Sequence, residues 1–123
     1  MTTTYDVHDR YVSAQQLLKG NRPLAAAKLL EPAVRQAPGA ASLQVLLGIA
    51  AFRSSQLDAA EAAFGRALEL DPTDHYAHFA LGRTLERRGR DTDARRHFRL
   101  AAALDPSPDY AAALERAEAR CTA

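Results

Sequence analysis

The 123-residue sequence predicts an all-α fold, three helical hairpins stacked as a solenoid and closed by one further helix. Three observations carry this. Segments of 34 residues ending at Pro38, Pro72 and Pro106 can be superimposed. Ahead of each proline the same residue types recur: Ala26, Ala60 and Ala94, then Leu30, Phe64 and Phe98, then Ala33, Ala67 and Ala101. A period of this length marks a unit that cannot bury its apolar face alone and must stack on its neighbours. Alanine is abundant and tryptophan absent, which suits closely packed helices better than a sheet.

The whole chain, 1–123, reads as a single domain of three copies and a cap. The first copy, about 5–38, is the least regular. Tyr11, Val12, Leu17 and Leu18 give a helical apolar pattern, and Lys19, Gly20, Asn21 and Arg22 supply a stop and a turn. Pro23 suits the first turn of the next helix, roughly Pro23 to Gln36, where its missing N–H costs nothing. Pro32 cannot donate to the carbonyl of Lys28 and predicts a kink. In the second copy, 39–72, Ala41 to Arg53 reads as a helix, Ser54 to Gln56 as a turn and Leu57 to Leu70 as the returning helix. Asp71-Pro72 ends it, because a residue before proline is pushed out of helical geometry. The third copy, 73–106, repeats the plan: His75 to Arg88, a turn at Gly89-Arg90, then Asp91 to Leu104, with Asp91 expected as the N-cap.

A seventh helix follows at about 109–121. Its Glu115, Arg116, Glu118 and Arg120 stand where the third copy carries Leu81, Gly82, Thr84 and Glu86. A stack must cover its terminal apolar face with a more polar element, so this helix reads as the cap.

Within a unit, small residues let two helices approach closely. The expected pairs are Gly48 with Ala60, Gly82 with Ala94 and Ala14 with Ala26. Leu47 and Leu81 fill the space beside them, and Leu30, Phe64 and Phe98 project between units. Leu47, Gly48, Ala60, Phe64, Ala67 and Pro72, repeated as Leu81, Gly82, Ala94, Phe98, Ala101 and Pro106, resemble the tetratricopeptide repeat family. The resemblance covers about residue 4 to Pro106, plus the cap. The first copy keeps only Ala26, Leu30, Ala33 and Pro38, with Ser13 at a leucine position. Arg10, Gln44 and His78 stand where that family carries a large aromatic residue. The resemblance implies a right-handed α–α superhelix whose concave surface holds another polypeptide.

Residues at i, i+4 and i+7 share a helix face. The faces that the resemblance assigns to the groove are Tyr11, Gln15 and Leu18, then Val45, Ile49 and Phe52, then Tyr76, Phe79, Arg83 and Glu86. Contiguous exposed apolar residues there would mark an interaction site; packing against neighbouring helices is the structural alternative. Lys19, Arg53 and Arg87 fall 34 residues apart on the rim of that face. They can pair with acidic groups flanking an apolar anchor, or form a solvated edge. Some members of the family grip a C-terminal carboxylate with lysines and asparagines. The matching positions here are Tyr11, Gln15, Ile49, Phe79 and Arg83, which favours an apolar or amphipathic segment instead.

Other chemistry is poorly supported. Net charge is +1, so no general attraction to nucleic acid or anionic membrane is expected. Residues 83–99 carry seven arginines against three acids, but no aromatic stacking platform accompanies them. A solvated face is the first account of them, and steering of an acidic partner or self-association the alternative. His75 and His78 have metal-ligand spacing without a completing set, so no metal site is expected. There is no phosphate loop or nucleophile motif, so neither catalysis nor a cofactor is expected. The first twelve residues lack an apolar signal, no stretch is apolar enough to span a bilayer, and Cys121 is the single cysteine. A reducing, cytoplasmic setting is the expectation. The function expected is a non-enzymatic adaptor, the alternative being a self-associating structural subunit.

Overall fold

The computed structural model describes residues 6–122. The expected start of the first copy, at residues 4–5, lies outside them. Among the described residues there are seven helices and no strand: α1 (Val7–Lys19), α2 (Pro23–Gln36), α3 (Ala41–Arg53), α4 (Leu57–Leu70), α5 (His75–Arg87), α6 (Asp91–Leu104) and α7 (Pro108–Thr122). Each helix packs on the next in the chain, and α3 also touches α1 and α5. That pattern is a superhelical stack of hairpins, α1–α2, α3–α4 and α5–α6, with α7 laid against α6.

The helices start and stop for identifiable reasons. Asp6 and Asp74 cap α1 and α5, their carboxylates accepting from Asp9 N at 2.7 Å and Ala77 N at 3.0 Å. The turns inside the three hairpins are one motif repeated. Asn21, Ser55 and Gly89 take φ of 58°, 63° and 78°, and the next residue returns a bond to the carbonyl of Leu17, Ala51 or Leu85. A left-handed residue followed by this long return bond is a Schellman closure. α2 continues through Pro32. Asp71 and Asp105 end α4 and α6 in extended geometry ahead of their prolines.

Two apolar clusters form the core. One joins Ala14, Leu18, Ala26, Leu30, Ala33, Leu43, Leu46 and Ala50 across the first hairpin and α3. The other joins Ala51, Ala60, Phe64, Leu81, Leu85, Ala94, Phe98, Ala113 and Ala117 from α3 to α7. Phe64 and Phe98 are fully buried, each contributing about 1.5–3 kcal/mol by leaving water.

Two expectations need correcting, and the small-residue seams gain a neighbour. The atoms nearest a Cβ placed on Gly48 belong to the Phe64 ring, at 2.5 Å, and Gly82 meets Phe98 in the same way. The glycines therefore make room for a phenylalanine of their own hairpin. Asp91 is not the N-cap of α6: Arg90 holds that position without a side-chain cap, and Asp91 faces Arg120 at 3.4 Å. Helix α5 ends at Arg87, since Arg88 already belongs to the Schellman turn.

Two arginines of the third copy reach acidic residues of the second. Arg88 pairs with Asp58 and lies 3.5 Å from Glu61, and Arg90 reaches Glu61 at 2.8 Å and Asp93 at 3.0 Å. Arg88 and Arg90 thus tie the third hairpin to α4.

Candidate functional site

The first helices of the second and third hairpins enclose a hollow of about 240 Å³, lined by Ile49, Phe52, Arg53, Phe64, Tyr76, Phe79, Ala80 and Arg83. It arises because α3 presents Ile49 and Phe52, and α5 presents Tyr76, Phe79 and Arg83, to the same gap. Ile49, Phe52 and Phe79 are half-buried, and Tyr76 is 41% exposed. Phe79 is held from three sides, with ring centroids 6.4 Å from Tyr76, 5.9 Å from Phe98 and 4.9 Å from Tyr110. Tyr110 comes from α7 and also meets His75 Nδ1 at 2.8 Å, so α7 buttresses this wall.

Positive charge sits on the aromatic surface. The Arg83 guanidinium lies 5.0 Å from the Phe52 ring centroid and 5.9 Å from that of Phe79, and Arg87 lies 4.9 Å from Phe52. Cations stacked on rings in this way are held in place while their N–H edges stay free to donate. Burial pushes the Tyr76 hydroxyl above its ordinary titration range, against the opposing pull of Arg83.

Of the residues expected from sequence, Ile49, Phe52, Tyr76, Phe79, Arg83 and Arg53 share this one hollow. The others lie elsewhere. Leu18 is buried in the first core cluster, Gln15 is exposed, and Val45 packs against the second cluster. Tyr11 lines a separate cleft with Val7, His8, Ala40, Ser42 and Leu43. The rim is not a uniform ladder. Arg53 donates to the Leu18 carbonyl at 3.0 Å and to Asn21 Oδ1 at 3.3 Å, which ties the second hairpin to the first turn. Arg87 stacks on Phe52, and Lys19 is exposed. Glu86 turns to α7, taking Arg116 at 2.9 Å and also pairing with Arg120.

Sequence reasoning missed Phe64 as the floor of the hollow and Tyr110 as its support. Phe64 was legible only as a packing residue, and Tyr110 lies outside the 34-residue columns. His75 and His78 diverge, despite their spacing. His78 Nε2 meets the Pro72 carbonyl at 2.8 Å, and His78 Nδ1 meets His97 Nδ1 at 3.1 Å. A carbonyl only accepts, so His78 carries hydrogen on Nε2, and in its neutral form Nδ1 accepts from His97. Among the described residues no three metal-ligating side chains converge, and no helix is long and apolar enough to cross a membrane.

No curated protein matches the sequence. Solved structures do. A repeat domain of Spaghetti (RPAP3), solved bound to the HSP90 peptide SRMEEVD, superimposes with TM-score 0.91 at 14% identity, covering 96% of this chain and 94% of that one. The Yersinia enterocolitica secretion chaperone SycD, solved with a peptide of the translocator YopD, gives 0.84 at 16%, covering 93% of each chain. MamA of MSR-1 gives 0.84 at 22%, covering 96% of this chain and 68% of that one. These likenesses are of fold. The family model for the tetratricopeptide repeat matches residues 11–75 and 45–108, and with the repeated hairpins this shows that the chain belongs to the tetratricopeptide repeat family.

Proposed function

We propose that the protein is a non-enzymatic adaptor that holds an apolar or amphipathic segment of another polypeptide in the α3–α5 hollow. The observation that carries this reading is the convergence of Ile49, Phe52, Tyr76 and Phe79 on one gap beneath Arg83. At about 240 Å³ the hollow is smaller than the roughly 300–1,000 Å³ of small-molecule sites, which suits one or two inserted side chains better than a cofactor. Arg83 and Arg87 at its mouth favour acidic residues beside the apolar anchor. Peptides bound to two of the structural neighbours lend support from fold. Apolar Ile49 and Phe79 argue against a carboxylate clamp. A reducing, cytoplasmic setting belongs to the same reading and rests on the single thiol, Cys121.

The test is affinity purification with mass spectrometry on the wild type and on Ile49→Asp and Phe79→Asp. We expect a polypeptide retained by the wild type to be lost by both variants while their far-ultraviolet circular dichroism is unchanged. Equal retention by folded variants would place the binding surface elsewhere. The alternative, self-association, predicts a mass above the 13.4 kDa monomer in light scattering that rises with concentration.

A further inference from the structure

Four arginines of the third hairpin, Arg88, Arg90, Arg96 and Arg99, each reach a carboxylate. Arg83 and Arg87, one turn apart on α5, form no ion pair among the described residues. Glu86, which stands between them in sequence, is taken up by Arg116 and Arg120 of α7. Both guanidiniums instead lie over the Phe52 ring, 5.0 and 4.9 Å from its centroid, and both side chains are exposed. Like charges at this helical spacing repel. The shared ring keeps the two forks together without neutralising either.

Arg53 adds a third exposed cation at the same mouth. It donates to the Leu18 carbonyl and the Asn21 side chain, neither of them an anion, so its charge also lacks a counterpart. The Tyr76 hydroxyl lines the hollow within the field of Arg83 and supplies an O–H donor. No carboxylate lines the hollow. Its mouth is therefore a set of donors and positive charges beside an apolar wall.

The charge and the number of donors select the anion. A carboxylate, with a single negative charge, engages one guanidinium fork and leaves the second cation unmatched. A phosphoryl group at neutral pH carries about −1.5 to −2 and three strong acceptor oxygens, enough for two forks at once. We infer that the mouth of the α3–α5 hollow recognises a phosphorylated serine or threonine next to an apolar residue of a partner polypeptide, with Arg83 and Arg87 donating to the phosphoryl oxygens. The apolar side chain enters between Ile49 and Phe79, which is why one polypeptide supplies both groups. This inference rests on the adaptor reading above and narrows it to a modified partner.

The probes are N-acetyl-Leu-phosphoserine-N-methylamide, its Leu-Ser and Leu-Glu analogues, and inorganic phosphate. Each is titrated at pH 7.5 and fixed ionic strength into ¹⁵N-labelled full-length protein. The Arg83 and Arg87 Nε–H signals report the anion, and the Ile49 and Phe79 amides report the anchor. The phosphorylated probe should shift both sets saturably and bind about tenfold tighter than Leu-Ser, as charge-assisted hydrogen bonds at a partly solvated site allow. Arg87→Gln, outside the walls of the hollow, should weaken that probe about three- to tenfold and erase its advantage over Leu-Glu. Equal binding of the phosphorylated and Leu-Glu probes to the wild type overturns phosphoryl recognition and leaves the adaptor reading standing. Shifts at the arginines with Ile49 and Phe79 silent overturn the apolar anchor, and the adaptor reading with it. Inorganic phosphate binding as tightly as the phosphorylated probe overturns the polypeptide source, and no saturable shift at either arginine overturns the site.

Discussion

Glycine at two positions of similar sequence character serves opposite ends. A Cβ on Gly48 would stand 2.5 Å from the buried Phe64 ring, whereas one on Gly65 meets nothing within 4 Å. Gly48→Ala should therefore destabilise by roughly 1–3 kcal/mol through overpacking. Gly65→Ala, inside α4, should stabilise by about 0.5–1 kcal/mol through helix propensity. Urea denaturation of both variants checks the pair, and the same sign for both would refute the assignment. The sequence shows that Gly48 is small for a reason; which neighbour needs the room is a matter of side-chain direction that spacing does not reveal. His97 makes the other residue-scale prediction. Burial, with the adjacent His78 and Arg96 against a weaker pull from Asp93, lowers it from 6.5 to about 4. Between those values the unfolded chain binds the extra proton and the folded one does not. Its contribution is therefore full above about pH 6.5 and is lost as pH falls toward 4. Thermal unfolding of His97→Gln should show a shallower pH dependence than the wild type over this range; identical slopes would exclude His97 as a source.

At the scale of elements, the six helices with both ends expected from sequence were legible to within a residue or two, because apolar period, turn residues and the Asp-Pro pairs agree. The N-caps were less legible. Asp91 sits where a cap would, yet Arg90 takes that place, while Asp74 caps α5 from a position to which the sequence reading assigned no role. Either aspartate satisfies the local rule, and only the chain's path chooses. The three Schellman turns were legible as turns but not as one motif, since Asn21, Ser55 and Gly89 differ in identity while sharing positive φ. A left-handed conformation strains a side chain by about 1–2 kcal/mol, least for asparagine. Ser55→Gly should accordingly stabilise by about 0.5–1 kcal/mol after the added freedom of the unfolded glycine is subtracted. A loss of stability in that variant would show that the Ser55 side chain makes up for its strain. The groove was only partly legible for a similar reason: face arithmetic places Leu18 and Phe52 at equivalent positions, but Leu18 is covered by the first core.

At the scale of the whole molecule, the decisive element is α7, which packs on α6 with Tyr110, Ala113 and Ala117 buried and holds on through Glu86. Glu86 accepts Arg116 bidentately, at 2.9 and 3.2 Å, and also takes Arg120, while its side chain is only 15% exposed. Such a pair is stronger than a solvated surface bridge, although the arginines remain partly in water, so its removal should cost on the order of 1 kcal/mol. That loss is local. Glu86→Gln should speed hydrogen exchange in α7 by roughly fivefold while α1 to α4 keep their protection, because stacked hairpins depend mainly on their neighbours. The wild type in high salt should show the same pattern, since screening weakens partly exposed pairs. Because Tyr110 also supports Phe79, a loosened α7 should disturb the α3–α5 hollow before any global unfolding, visible as broadened Phe79 and Tyr76 ring resonances. Uniform acceleration of exchange across all seven helices would instead mean that α7 and the hairpins open as one cooperative unit, and the ionic clasp would then have no separate role in shaping the groove.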